Sequence, residues 1–146
     1  MIFYIDASAV VAVVRNEGAS LTVDRVIRDP ESVVLISDLV VTESCAALAR
    51  DGRVRRLTPF EMEQVYRELE TWAVGAGEAA GIASIDIADA IAFVRLPGLA
   101  LRAPDAIHIA AARRLGATLL TLDHGMARAA TVLGVPCINP AETSAL

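Results

Sequence analysis

Five short apolar runs punctuate the chain, and a helical pattern follows each of the first four. Ile2 to Ile5 stops at Asp6, residues 33–36 stop at Ser37-Asp38, and 118–122 stops at Asp123. Residues 82–87 form a weaker third run, and 135–138 precedes Asn139-Pro140. Strand signals that alternate with helix signals fold as a parallel sheet covered on both faces. A chain of 146 residues has room for one such core. The expected class is therefore α/β: one domain over 1–146, with a central parallel sheet of four to five strands flanked by helices.

Helices are predicted over 8–15, 19–28, 39–50, 59–74, 88–95, 104–115 and 125–133. Thr58-Pro59-Phe60-Glu61 has the makings of a helix start, with a capping hydroxyl, Pro at the first helical position and Glu at the third. Ala103-Pro104-Asp105 starts another. Gly75-Ala76-Gly77 through Gly81 is one residue off the spacing of a dinucleotide fingerprint and follows a helix, so it reads as a helix terminator and loop.

Charge narrows the chemistry. All 13 basic residues are Arg, and Lys is absent. That excludes a Walker-type phosphate loop, Schiff-base chemistry and a receiver domain that relies on Lys near its phosphorylated Asp. The net charge of −5 argues against a binder that holds nucleic acid by charge alone. The longest uncharged stretch, 129–141, contains Gly134, Pro136, Asn139 and Pro140, and is shorter than the roughly 20 residues of a spanning helix. The opening MIFYIDASAVV lacks a basic start and meets an acid at Asp6, so no signal peptide is expected there. Cys45 and Cys137 are far apart, and with two His there is no zinc-ligand set. A reduced, cytoplasmic setting with no membrane association is the expectation.

Four carboxylates carry the functional argument. In an open parallel sheet, ligands bind outside the carboxyl ends of the strands, where Asp6 and Asp123 fall. Each also suits a helix cap. Glu43 has Leu39, Val40, Ala46 and Ala47 as its helical neighbours, all apolar. A Glu in that position must be paired, with Arg50 one candidate, or protonated, or bound to a cation. Asp105 opens a helix of small apolar residues, whose N-terminus should emerge near the core. Four acids drawn together would repel one another, and the ordinary remedy is a divalent cation. An all-oxygen set suits Mg²⁺, with Mn²⁺ as an alternative. Such an ion can activate water and neutralise a phosphodiester, which implies hydrolysis of that bond.

Tyr4-Ile5-Asp6-Ala7-Ser8, then Glu43 in the helix after the second strand, then Arg102-Ala103-Pro104-Asp105-Ala106-Ile107-His108, then Thr121-Leu122-Asp123 resemble a PIN-domain ribonuclease. The nearest likeness is to the VapC toxins of bacterial toxin–antitoxin pairs, and it covers essentially the whole chain. The resemblance implies a three-layer sandwich and a Mg²⁺-dependent endoribonuclease, the toxin of a type II pair. In it a metal-activated water cleaves RNA. Asp6 and Asp105 match the positions most directly tied to the metal, Glu43 and Asp123 the other two acids, and Ser8 and Thr121 the hydroxyls that support them. It further implies a homodimer and a small VapB-like antitoxin.

His108, one turn after Asp105, could bond that carboxylate or a substrate phosphate. Arg50, Arg53, Arg55 and Arg56 form the densest basic patch, in the loop expected after the Glu43 helix, where they could hold RNA phosphates. Val65, Tyr66, Leu69 and Trp72 read as the apolar stripe of one helix. Two other readings remain. A haloacid-dehalogenase-like phosphohydrolase would need Asp where Ser8 stands, and a Lys. A non-catalytic RNA- or protein-binding module on the same scaffold would not need all four acids. With those four in one pocket, 14 acids remain against 13 Arg, so the acidic total does not oppose an RNA substrate.

Overall fold

The structure, a computed structural model, describes residues 1–143, so the last three positions of the expected domain, 144–146, lie outside the described residues. In chain order the elements are β1 Ile2–Ile5, α1 Ala7–Val14, α2 Ser20–Ile27, β2 Val33–Ser37, α3 Asp38–Val54, α4 Pro59–Ala76, β3 Glu78–Ala80, α5 Ser84–Val94, α6 Ala103–Arg114, β4 Thr118–Leu120, α7 His124–Val132, β5 Cys137–Ile138 and α8 Pro140–Thr143. The five strands form one parallel sheet in the order β3-β2-β1-β4-β5, flanked by helices, which is the α/β architecture expected.

β1 is central. Phe3, Tyr4 and Ile5 are consecutive yet all buried, because both faces of the strand are covered. From β1 the chain winds outward through β2 to β3, then returns to the other side of β1 for β4 and β5. The direction of winding reverses between β1 and β4, whose register pairs Ile5 with Leu120. Their carboxyl ends therefore diverge into the crevice where open α/β sheets bind ligands.

The third strand departs from expectation. Residues 82–87 are not a strand. They run into α5, and β3 lies earlier, within the stretch read as a loop. The Asp86 carboxylate accepts the Ala83 N–H at 2.8 Å and so caps the helix start, a role its place in an Ile-rich run concealed. The Glu-Ala-Ala segment of β3 has weak strand preference of its own and is held by its parallel pairing with β2. Gly77 permits that pairing, since a Cβ there would lie 2.5 Å from the Val34 carbonyl oxygen.

α3 also runs four residues beyond its predicted end, to Val54. Gly52, which lowers helix preference, leaves room for the Met62 side chain of α4, whose sulfur would lie 2.1 Å from a Cβ at that position and would have to shift. α4 begins with a full capping box between Thr58 and Glu61. Its Leu69 is buried, with Val65, Tyr66 and Trp72 packed against the core, as the apolar stripe requires. α6 is buried on nearly every side, through Ala106, Ile109, Ala110, Ala111 and Ala112. Among the described residues no helix is long and apolar enough to cross a membrane.

Candidate active site

Asp6, Glu43, Asp105 and Asp123 line one open cleft of about 350 Å³ at the carboxyl edge of the sheet. Each arrives on a different element. Asp6 follows β1 and caps α1, Glu43 rides on α3, Asp105 sits in the first turn of α6, and Asp123 follows β4 and caps α7.

Asp6 is the most enclosed of the four, at 2% exposure. Ser8 Oγ donates to both carboxylate oxygens, at 2.7 and 2.9 Å, Thr121 Oγ1 donates to Oδ2 at 2.9 Å, and the Ala9 N–H donates to Oδ1 at 3.2 Å. The two hydroxyls are themselves fixed by the chain leaving β4. Ser8 Oγ accepts the Leu122 N–H, and Thr121 Oγ1 accepts the Asp123 N–H. Burial pushes the Asp6 carboxyl above the usual carboxylate range, against the pull of Ser8, Ala9 and Thr121. A cation beside it would relieve that burial penalty.

Glu43 is paired, though not with Arg50. Its Oε2 is hydrogen-bonded to Nε2 of His108. His108 Nδ1 lies 3.0 Å from the Tyr4 hydroxyl, which lies 2.6 Å from Ser37 Oγ, which accepts the Val40 N–H. One assignment of hydrogens satisfies the whole chain: Val40 to Ser37, Ser37 to Tyr4, Tyr4 to His108, and His108 to Glu43. Burial pushes the Tyr4 hydroxyl far up, so it remains a donor. His108 is 1% exposed, and both its nitrogens are engaged. Its bonds run to Tyr4 and Glu43 and not to Asp105, one of the partners the sequence allowed, so it holds a carboxylate of the cleft from behind.

Asp105 is clamped by Arg102, the residue before its helix. Nε donates to Oδ2 at 2.9 Å and an NH2 group to Oδ1 at 3.1 Å, a two-pronged pair. The same guanidinium lies 3.8 Å from Asp123 Oδ2, while Asp123 Oδ1 accepts the Met126 N–H at 2.8 Å. Arg102 thus stands between two of the four acids. Its three-residue offset from Asp105 was the available signal, but offset alone does not say which way a long side chain turns.

The four arginines of the basic patch separate. Arg50 lines the cleft. Arg53 and Arg55 are exposed at the end of α3, Arg55 pairs with Asp51, and Arg56 is exposed just beyond, with φ of 56°. The expected loop is in fact helix as far as Val54, and the turn of the helix carries the patch around its circumference.

The donors facing the cleft are hard carboxylate oxygens, which fit Mg²⁺ or Mn²⁺. Among the described residues no three acidic, His or Cys side chains are gathered as a ready-made metal cage. The Arg102 guanidinium supplies positive charge in that place. The thiols contribute nothing there, and burial pushes Cys137 up to about 11.

A family model described as PIN domain matches residues 3–132. Among solved structures, the chain is similar to VapBC2 from Rickettsia felis bound to a DNA fragment from its promoter, at 14% identity and TM-score 0.71, covering 94% of this chain and 98% of that one. It is similar to VapC20 from Mycobacterium tuberculosis, a sarcin–ricin loop cleaving toxin, at 17% identity and TM-score 0.67, covering 94% and 97%. A third likeness is to FitAcB from Neisseria gonorrhoeae, at 19% identity and TM-score 0.67, covering 97% and 99%. At these identities the likeness is one of fold. No curated protein matches the chain.

Proposed function

The chain belongs to the PIN domain family, and from that premise we propose that it is a divalent-cation-dependent endoribonuclease, the toxin of a type II toxin–antitoxin pair. The observation that carries the reading is the convergence of Asp6, Glu43, Asp105 and Asp123 on one cleft from four separate elements. Helix capping accounts for Asp6 and Asp123 one at a time, but not for four acids opening on one cleft.

Asp6 and Asp105 would hold Mg²⁺ or Mn²⁺, with Glu43 and Asp123 completing the oxygen set. Held by these residues, such an ion would supply charge neutralisation of a phosphodiester and a more nucleophilic water. Ser8 and Thr121 orient Asp6 by donating to its oxygens. His108 fixes Glu43 through Oε2, which leaves Oε1 to accept a proton from the attacking water. Arg50, on the cleft wall beside Ala46 and Ala47, is the cation placed to meet an RNA phosphate. VapC20, which shares the fold, cleaves the sarcin–ricin loop, and RNA is accordingly the substrate class proposed here.

The partners proposed are a VapB-like antitoxin and a second copy of the chain, consistent with similar structures that are VapBC complexes. Ile87, Ile91 and Val94 form an exposed apolar row on α5 that either could cover. The chain is proposed to act as a single domain in the cytoplasm.

The deciding experiment is cleavage of RNA by the purified protein with Mg²⁺, with chelator, and with Asp6→Asn. Cleavage should require the metal and fall by about 100-fold or more in the variant. Full metal-dependent cleavage by Asp6→Asn would refute the assignment.

A further inference from the structure

Arg102 contacts two acids of the cleft. Its guanidinium grips both oxygens of Asp105 and reaches to 3.8 Å from Asp123, so its one positive charge offsets part of the charge of both carboxylates. Those are the oxygens a divalent cation would need. Asp105 is buried, and a buried carboxylate requires a counter-charge. Arg102 itself is 75% exposed in its side chain and, among the described residues, its guanidinium is held by Asp105 and Asp123, so water can receive it if the acids let it go.

We infer that Arg102 is a resident counter-ion of the carboxylate cleft, which a divalent cation must displace from Asp105 and Asp123 in order to bind. This rests on the metal site proposed above. Loading is then an exchange of one cation for another, not a simple addition. The geometry supports exchange over coexistence, because the forked pair takes one lone pair on each Asp105 oxygen and sets a positive charge between Asp105 and Asp123, where it would repel a divalent cation. Without Arg102, the metal-free protein would hold the Asp105 and Asp123 charges uncompensated. The residue is therefore a positioning group that serves the metal-free state and opposes metal binding.

Mn²⁺ alone is the probe, with free ion followed by electron paramagnetic resonance, for the parent, Arg102→Met and Arg102→Lys. Arg102→Met should bind Mn²⁺ about three- to tenfold more tightly than the parent, because no forked pair has to be broken. Arg102→Lys, which keeps the charge without the fork, should fall between. The melting temperature of Arg102→Met should drop without metal and recover with it. A merely structural role would lower the melting temperature and leave Mn²⁺ affinity unchanged or weaker, and that outcome overturns the inference. In the parent, the ¹⁵N signal of Arg102 Nε, identified by its loss in Arg102→Lys, should shift as MgCl₂ is added. If Arg102→Met fails to fold, this titration decides alone, and a signal unmoved at saturating Mg²⁺ overturns the exchange. Absence of Mn²⁺ binding in the parent and in every variant overturns the metal site itself, whereas equal binding in all three overturns only the role of Arg102.

Discussion

Glu43 and His108 are 65 residues apart in the chain and share a hydrogen bond, from Nε2 of the buried imidazole to Oε2 of the carboxylate. The contact ties α3 to α6 and sets where one acid of the cleft stands. His108→Phe keeps the bulk and removes the bond. RNA cleavage should fall about 10- to 100-fold, the usual effect of losing a group that orients a metal-site carboxylate. His108→Gln retains a donor and should recover part of the loss. Single-turnover cleavage rates beside thermal melts separate misplacement of Glu43 from unfolding.

Arg50 lines the cleft, whereas Arg53, three residues on, does not. Arg50→Ala should weaken RNA binding and lessen its dependence on salt by about one counter-ion, while Arg53→Ala should change neither. Filter binding of an uncleaved RNA in chelator, over a series of salt concentrations, measures both.

Asp86 and Arg114 join α5 to α6 through bonds of 2.7 and 2.9 Å. Arg114→Met strands a carboxylate of 1% exposure and should cost about 3–5 kcal/mol. Asp86→Ala leaves a guanidinium that water can reach and should cost less. Burial raises the Asp86 carboxyl, but the Arg114 bonds, the Ala83 amide and the Arg114 charge outweigh it, and the net position is below 3.8. A carboxyl lowered in the folded state contributes stability that is complete above 3.8 and is lost as pH falls through the folded value. In Arg114→Met only the Ala83 amide is left to oppose burial, so the carboxyl rises relative to the parent and lowering the pH should narrow the stability gap between the two. Urea unfolding between about pH 3 and pH 7 would show whether the two profiles converge in acid.

Gly77→Ala places a methyl group 2.5 Å from the Val34 carbonyl oxygen. Backbone cannot yield as a flexible side chain can, so β3 should separate from β2 at a cost of about 1–3 kcal/mol. Gly75→Ala, near the end of α4 with open space around it, should be neutral or stabilising by up to about 1 kcal/mol. Denaturant midpoints for the pair isolate the close approach from the general effect of glycine.

Much of the cleft was legible because its acids mark local events. Asp6 and Asp123 end strands and begin helices, Asp105 opens a helix, and Glu43 stands out as a charge among apolar neighbours. What holds them was less legible. Nothing near Glu43 in sequence points to His108, and the Tyr4 hydroxyl is hidden in a strand that reads as apolar. Ser8 and Thr121 were expected beside the acids through resemblance, yet the bond from the Leu122 amide to Ser8 and the bond from Thr121 to Asp6 depend on β1 and β4 lying side by side. β3 escaped detection because its strand character comes from β2, and Asp86 because a capping acid within an Ile-rich run imitates strand alternation.

The position of β1 at the centre of the sheet also orders events in time. The first strand to be synthesised waits for the fourth before its second edge is paired, and Asp6 waits 115 residues for Thr121. A nascent chain that stops after α6 has three of the acids but not Asp123, nor the hydroxyl from β4 that aims the first. Interrupted translation thus yields fragments that lack a finished cleft. The four acids share one cleft only once the domain is nearly whole.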